Sequence, residues 1–525
     1  MSRPSALVLV GISGVLLAIV VGLQLLPGAL YMTRHEGDAF HLLDILGRIQ
    51  LGQRLHHEIA TPIGGLAFWP FLPLLEAGLG AGRAFVLGQA AVGILILVPS
   101  LWVAMTRLEP GSAIAFVVLQ AIMVTALAYG GDLAHVSVSM HYNRWAWALA
   151  SVAVLIVCLP GRATRSDVDG VILGLVGAAL LVLKATYAVA LGPALLMVAI
   201  VVRKWVLICW GAAGFGLGVV LVTLLLGPAY WPAYFGDLWT VAATSVRPFP
   251  GLPLPDILTA PSHVAATALL LAAIVVLRRS GASHLGLALF LLAPAFFYIT
   301  WQNFGNDPLW LAPVALLLIG QRTSVSRMMA LAMMIVVAPP VVTMATSTLR
   351  HLGSAPADYS AIVPQVPMPR GGFEGTIPRA FTVNGLAAMD GPDGGIPPGG
   401  VDRPHARDFA GENVPECQVA SGYTAWMLEI ERGLAQAEIS REDGIFVADV
   451  LSAIWLYGRR APLIGGAPWY YGGLPGLEDA DYVLVPLCPI QQVARSAALD
   501  ALEERRLPLR KVAETKLFRL YDITP

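Results

Sequence analysis

The residues best placed to do chemistry sit at the ends of apolar runs. Arg34-His35-Glu36-Gly37-Asp38-Ala39-Phe40-His41 sets two carboxylates just past the first run. A carboxylate beside a low-dielectric layer can have a raised pKa and serve as a general base. The competing reading of Asp38 is an N-cap, opening a helix that starts near Phe40, and the two roles are compatible. Lys184, in Leu183-Lys184-Ala185-Thr186-Tyr187, is a lone cation between two apolar spans. It suits a lipid phosphate, which Lys binds as a point charge; the alternative is snorkelling to headgroups.

His141-Tyr142-Asn143-Arg144-Trp145 brings an Arg and aromatic rings to the mouth of a further span. Arg clamps phosphate or pyrophosphate, and aromatic faces suit sugar rings or an isoprenoid. The plainer reading is an interfacial aromatic belt with one anchoring Arg. Trp301-Gln302-Asn303-Phe304-Gly305-Asn306-Asp307-Pro308 is amide-rich and suits sugar hydroxyls, but Asn-Asp-Pro is also ordinary turn chemistry. Ionisable residues at the same edge include Asp44, Asp132, His135, Asp237 and Arg247. Such residues beside a bilayer are functional hypotheses by default. His35, His41, His56 and His57 show no HxxxH pair, so no zinc site is read; a divalent ion at Glu36 and Asp38 stays open. No cofactor is assigned. Cys417 and Cys488 form a disulfide if their compartment is oxidising, and are otherwise two separate thiols. Cys158 and Cys209 read as apolar fillers.

Composition shows what must hold these groups. The 525 residues are 57% hydrophobic and 13% charged, against roughly 25% charged in soluble proteins, and mean hydropathy is +0.70. A net charge of -1 argues against a nucleic-acid partner. Eleven apolar segments, at about 5–30, 84–106, 112–130, 145–160, 168–183, 186–202, 206–227, 262–277, 284–300, 308–320 and 327–349, read as bilayer spans. The first is too long for a signal-peptide core and reads as a retained helix. Every second connection is short and basic: Arg3, Arg107, Arg162 with Arg165, Arg203 with Lys204, Arg278 with Arg279, and Arg322 with Arg327. Positive charge stays inside, so the N-terminus is expected inside and everything after Leu349 outside.

The expected fold is an α-helical polytopic membrane protein with a C-terminal α/β domain outside. Residues 1–349 form the membrane part, with a first outer loop at 31–83. Leu42, Leu43, Ile45, Leu46 and Ile49 in that loop recur at helical spacing and predict an amphipathic helix at the membrane interface. Residues 350–415, rich in Pro and Gly, predict a loop-rich region. Residues 416–525 predict alternating helices and strands: a helix over 420–437, strands at GIFVA (444–448) and DYVLVP (481–486), a helix over 490–505 and a last strand at LFRLYDI (517–523).

This pattern resembles the GT-C superfamily of membrane glycosyltransferases, which use polyprenyl- or dolichyl-phosphate-linked sugars. Glu36-Gly37-Asp38-Ala39-Phe40-His41-Leu42-Leu43-Asp44 resembles its acidic first-loop motif. GQRLHHEIATP (52–62), followed by Ile63-Gly64, resembles the continuation of that loop in bacterial members. The sequence departs from the common Asp-Glu pair, having Asp38-Ala39, and it lacks the Trp-Trp-Asp motif of oligosaccharyltransferases. The resemblance implies Asp38 as base, with Glu36 and Glu58 next, and Lys184 and Arg144 at the donor phosphate by topological position. The substrate-facing set is His57, His141, Tyr142, Asn143, Asn303 and Asp307. It implies an inverting transfer from a polyprenyl-phosphate-sugar donor to a glycan, lipid or protein acceptor. The Ala/Gly/Leu-rich composition and the absence of an organelle signal point to a bacterial host, so the outer side is expected to be the periplasmic face of an inner membrane, with a cytoplasmic N-terminus. Two other classes compete. A flippase or transporter of lipid-linked glycans calls for paired repeats and broken mid-membrane helices, and no repeat is seen. A non-catalytic membrane assembly protein would use the outer domain for partners.

Overall fold

The structure, a computed structural model, describes residues 5–130, 135–161, 165–244, 246, 253–303, 307–363, 372–376, 407–419 and 421–523. The expectations on Asp132, Arg162, Arg247 and Asn306, and on most of 353–415, lie outside the described residues.

The chain forms α1 (Ala6–Leu25), β1 (Leu30–Met32), α2 (Glu36–Gln50), α3 (Leu72–Glu76), α4 (Ala81–Arg107), α5 (Pro110–Thr125), α6 (His141–Cys158), α7 (Ser166–Leu183) and α8 (Ala185–Val201). It continues through α9 (Trp205–Leu226), α10 (Tyr230–Ala243), α11 (Leu254–Thr259), α12 (Pro261–Arg279), α13 (Ser283–Gln302), α14 (Leu311–Ile319) and α15 (Ser324–Leu352). Each of the eleven apolar segments folds as a helix, and α2, α3, α10 and α11 lie in the connections. Among the described residues seven helices, α1, α4, α7, α9, α12, α13 and α15, are long and apolar enough to cross a bilayer unaided. Large apolar side chains such as Leu7, Leu224, Leu225 and Met328 stand exposed on them, the surface a lipid environment covers. The chain is a polytopic helical membrane protein.

Helices α7 and α9 pack backbone to backbone. A Cβ on Gly174 would stand 2.1 Å from the Gly211 carbonyl oxygen, and one on Gly214 2.6 Å from that of Val171. Without a hydrophobic drive inside lipid, small residues allow the close approach that holds such helices together.

After α15 come β2 (Tyr359–Ala361), β3 (Phe373–Thr376), β4 (Arg407–Phe409), β5 (Glu412–Val414), α16 (Tyr423–Gln436), β6 (Ile445–Val447), α17 (Trp455–Gly458), β7 (Tyr482–Pro486), α18 (Gln492–Arg505), β8 (Arg510–Glu514) and β9 (Phe518–Asp522). The sheet order is β6-β7-β9-β8, with β6 parallel to β7 and β9 antiparallel to both its neighbours. The apolar stretches GIFVA, DYVLVP and LFRLYDI supply three of these strands. The fourth, β8, is a charged edge strand, Arg-Lys-Val-Ala-Glu, whose composition hides it in the sequence and guards the sheet edge. Trp426, Ile430 and Leu434 of α16 are fully buried. Cys417 and Cys488 are disulfide-bonded, their Cα atoms 4.9 Å apart.

The tail returns to the first loop. Strand β1 pairs in parallel with β3, and β2 closes the other edge of β3. Helix α2 differs from an interfacial helix, whose polar face would meet water. Asp44 and Arg48 form a buried ion pair. Arg48 Nη1 donates to the Leu463 carbonyl oxygen at 2.5 Å, and the Ser452 hydroxyl donates to Asp44 Oδ2 at 3.2 Å. Trp469 packs beside Gly37 and Trp455 against Gly47. The polar face of α2 is therefore the seat of the tail.

Candidate active site where α2 and α6 begin

Two neighbouring turns position the site. Thr33 N donates to the Val136 carbonyl oxygen at 2.9 Å, and Val136 N to Thr33 Oγ1 at 3.1 Å. This strap sets the start of α2 beside the start of α6. Both helices follow a residue in the left-handed region, His35 (φ 63°) and Met140 (φ 54°), a conformation rare outside glycine and found where surroundings enforce it. The helix begins at Glu36, so Asp38 lies inside its first turn and the N-cap reading of Asp38 does not hold: the cap position belongs to His35.

Asp38 is half-buried and its carboxylate takes a hydrogen bond from the Ser139 side chain. Burial pushes its pKa up to about 6; the Ser139 bond pulls it down and the charge of Glu36 pushes it up. Ser139 also meets Arg144, whose Nη1 donates to the Ser139 carbonyl oxygen (3.4 Å) and to that of Ala128 (3.3 Å). Arg144 Nη2 donates to Gln89 Oε1 at 2.6 Å. Arg144 is fully buried, and among the described residues it makes no ion pair. Its charge is held by neutral acceptors alone.

The other polar groups gather on the adjoining side of α6. Lys184 is the single extended residue between α7 and α8, and its Nζ lies 4.8 Å from the ring centre of Tyr142. Tyr187 Oη donates to the Asn143 carbonyl oxygen and accepts from Asn303 Nδ2, each at 3.4 Å. The Asn143 carboxamide is buried without a hydrogen-bond partner on either atom, as is Asn303 Oδ1. Asp307 Oδ2 lies 3.4 Å from where a Cβ on Gly130 would stand. The structure thus brings Asp38, Arg144, Tyr142, Asn143, Lys184, Asn303 and Asp307 to one end of the helix bundle.

It sets others apart. Glu58 Oε2 folds back onto its own loop, accepting from Arg54 N at 2.7 Å, and His57 is exposed on that loop. Glu36 is buried against β3, with its Cγ near Gly375. His141 has Nε2 2.9 Å from the Ala67 carbonyl oxygen and Nδ1 3.4 Å from that of Val138. Phe71, Phe85 and Trp145 wall in its ring, so it fixes the turn at 65–67. Among the described residues no cluster of three metal-binding side chains occurs.

Ser139, Gln89 and Tyr187 escaped sequence reasoning. Gln89 and Tyr187 are lone polar residues in apolar runs and carry no periodic signal, and Ser139 lies in the connection before α6. The one available sign was that Tyr187 lies one helical turn after Lys184.

Beside the polar cluster lies an apolar cleft of about 390 Å³ between α6, α7, α8 and α9, running from Tyr187 to Ala199 along α8. Gly174, Gly177, Gly192 and Gly211 line it.

No family model matches the chain, and no curated protein matches it. Among solved structures the chain is similar to ArnT from Cupriavidus metallidurans in the apo state, with 11% sequence identity and a TM-score of 0.44 over 99% of this chain and 97% of that chain. A likeness at that level assigns no residue a role.

Proposed function

We propose that the chain is an inverting membrane glycosyltransferase of the GT-C kind. It moves a sugar from a polyprenyl-phosphate donor to a glycan, lipid or protein acceptor at the periplasmic face of a bacterial inner membrane. Residues 1–349 are the catalytic membrane part, 350–415 a connecting region, and 416–525 a periplasmic α/β domain. One observation carries the reading: an acid and a base approach the same helix start, Asp38 at Ser139 and Lys184 at Tyr142, at the Tyr187 end of an apolar cleft. That combination suits an amphiphile whose charged group sits where its hydrocarbon ends.

Asp38 accepts the proton of the acceptor hydroxyl as its oxygen bonds to the anomeric carbon. The bond from that carbon to the phosphate oxygen breaks, and the electron pair leaves with the phosphate. Attack from the face opposite the phosphate inverts the anomeric centre. Lys184 stabilises the charge growing on the leaving group, and Arg144, sealed behind Ser139, adds its field at one remove. The isoprenoid lies along α8. The unpartnered carboxamide of Asn143 is a donor and acceptor for sugar hydroxyls, and Asn303 Oδ1 is an acceptor for them.

The test uses the full chain in proteoliposomes with a panel of radiolabelled polyprenyl-phosphate hexoses and pentoses, and membrane glycolipid extract as acceptor. The expected result is transfer by the native protein and transfer about 10²–10⁴ slower by Asp38→Asn at equal membrane abundance. Transfer at the native rate by Asp38→Asn overturns the assignment of the base. Movement of the intact donor across the bilayer, without transfer, overturns the enzyme reading in favour of a flippase.

A further inference from the structure

The far ends of the same helices hold a second cleft, of about 400 Å³, between the last turns of α6 and α8 and the first turns of α13. Val157, Pro160, Val198, Val201, Leu285 and Ala288 give it an apolar floor. Its rim is cationic, from Arg203 and Lys204, with the His284 side chain beside them. Tyr187 and Val201 are fourteen residues apart on α8, so roughly 21 Å of helix separates this cleft from the candidate active site.

We propose that this cleft binds the phosphate-bearing headgroup of an anionic phospholipid, with an acyl chain along its floor. Among the described residues no carboxylate lines it. Asp169, the acid whose charge reaches Lys204, is already engaged by Arg107 Nη2 at 2.5 Å and by Trp102 Nε1 at 2.7 Å. The rim keeps its positive charge. Lys204 Nζ donates one hydrogen bond, to the Val157 carbonyl oxygen at 2.7 Å, which leaves two N–H groups of the ammonium for a phosphate. Arg203 is exposed. Trp205, exposed at the start of α9, marks the depth at which aromatic rings meet headgroups. A charge bias in loops explains cations at this end of the bundle, but a bias alone makes no concave apolar floor beneath them. Free phosphate would engage the rim and leave that floor wet, whereas a phospholipid covers both.

The experiment is native mass spectrometry of the full chain, purified in detergent and stripped of lipid, with added phosphatidylglycerol, phosphatidylcholine or inorganic phosphate. Phosphatidylglycerol is expected to bind in preference to phosphatidylcholine, and Arg203→Ala to weaken it about five-fold. Arg203 adopts φ 57°, so Arg203→Gly removes the charge with relief of backbone strain and answers any objection that the fold was lost. Arg165→Ala, an exposed cation outside the cleft, should leave binding unchanged. Equal binding of the two lipids, or unchanged affinity in both Arg203 variants, overturns the proposal. Displacement of phosphatidylglycerol by inorganic phosphate at like concentration overturns the lipid and points to a soluble phosphate.

Discussion

Asp38 and Arg144 are joined through one residue: the Ser139 side chain hydrogen-bonds the Asp38 carboxylate, and the Ser139 carbonyl accepts from Arg144 Nη1 at 3.4 Å. The link brings the acid and the cation close without pairing them. An ion pair would hold Asp38 ionised and weakly basic. A single serine between them leaves burial as the dominant influence, and Asp38 is pushed up to about 6. A carboxylate in that range is a more effective proton acceptor near neutral pH than a surface aspartate.

The first prediction follows from that direction. A base works ionised, and a raised pKa means that ionisation is lost as pH falls through about 6 rather than near the usual 3.8. Sugar transfer measured as kcat/KM should fall along an acid limb with that midpoint. Ser139→Ala removes the bond that favours the ionised form and should move the midpoint up. Glu36→Gln removes a like charge and should move it down. Asp38→Asn should cost about 10²–10⁴ in rate. A limb unmoved by both neighbouring variants would mean that another group titrates.

Lys184 and Arg144 should fail differently when truncated. Arg144→Ala leaves the carbonyl oxygens of Ala128 and Ser139 and the Gln89 amide without their donor, at about 1–3 kcal/mol for each acceptor left bare. The expected outcome is a lower melting temperature and less protein in the membrane. Lys184 is only partly buried, and Lys184→Ala should melt normally while raising KM for the donor. Equal melting losses in the two variants would remove the distinction drawn between scaffold and phosphate ligand.

The apolar cleft gives a test of chain length. Gly192 lines it, and a Cβ placed there meets nothing within 4 Å. Gly192→Phe therefore starts from a position with room for its Cβ and sets a ring at the cleft, and it replaces a poor helix former inside α8. Transfer from a long polyprenyl-phosphate donor should fall several-fold, while a donor with a short prenyl chain is used as before. Equal use of both donors by the variant would place the hydrocarbon elsewhere.

The sequence reveals helices better than it reveals contacts. Eleven apolar runs are legible as helices, and seven of the described helices have the length and apolarity that a bilayer demands. The gathering of Asp38, Lys184, Arg144 and Asn303 is legible because their loops alternate with the basic ones. The strap from Thr33 to Val136 is not, since a backbone hydrogen bond leaves no mark on side-chain pattern. The parallel pairing of β1 with β3 joins Leu30 to Phe373, and a three-residue strand has too few positions to show a period. Asp44 and Arg48 have the spacing of a surface pair on a helix. Only the fold shows that Ser452 and Leu463 turn that pair into a buried anchor.

That anchor supports the last prediction. Arg48→Ala leaves the Asp44 carboxylate buried with Ser452 as its remaining side-chain partner. Breaking a buried pair from one side costs about 3–5 kcal/mol, whereas replacing both members with apolar residues is often near neutral. The tail of Arg48→Ala should therefore become sensitive to protease in detergent, and Asp44→Leu combined with Arg48→Leu should recover much of the resistance. Because α2 also carries Asp38, loosening its polar face should lower transfer in the single variant with no residue of the reaction centre altered. Equal protease sensitivity in the single and double variants would show that the charge itself, rather than the packing of α2 against Trp455 and Trp469, seats the tail.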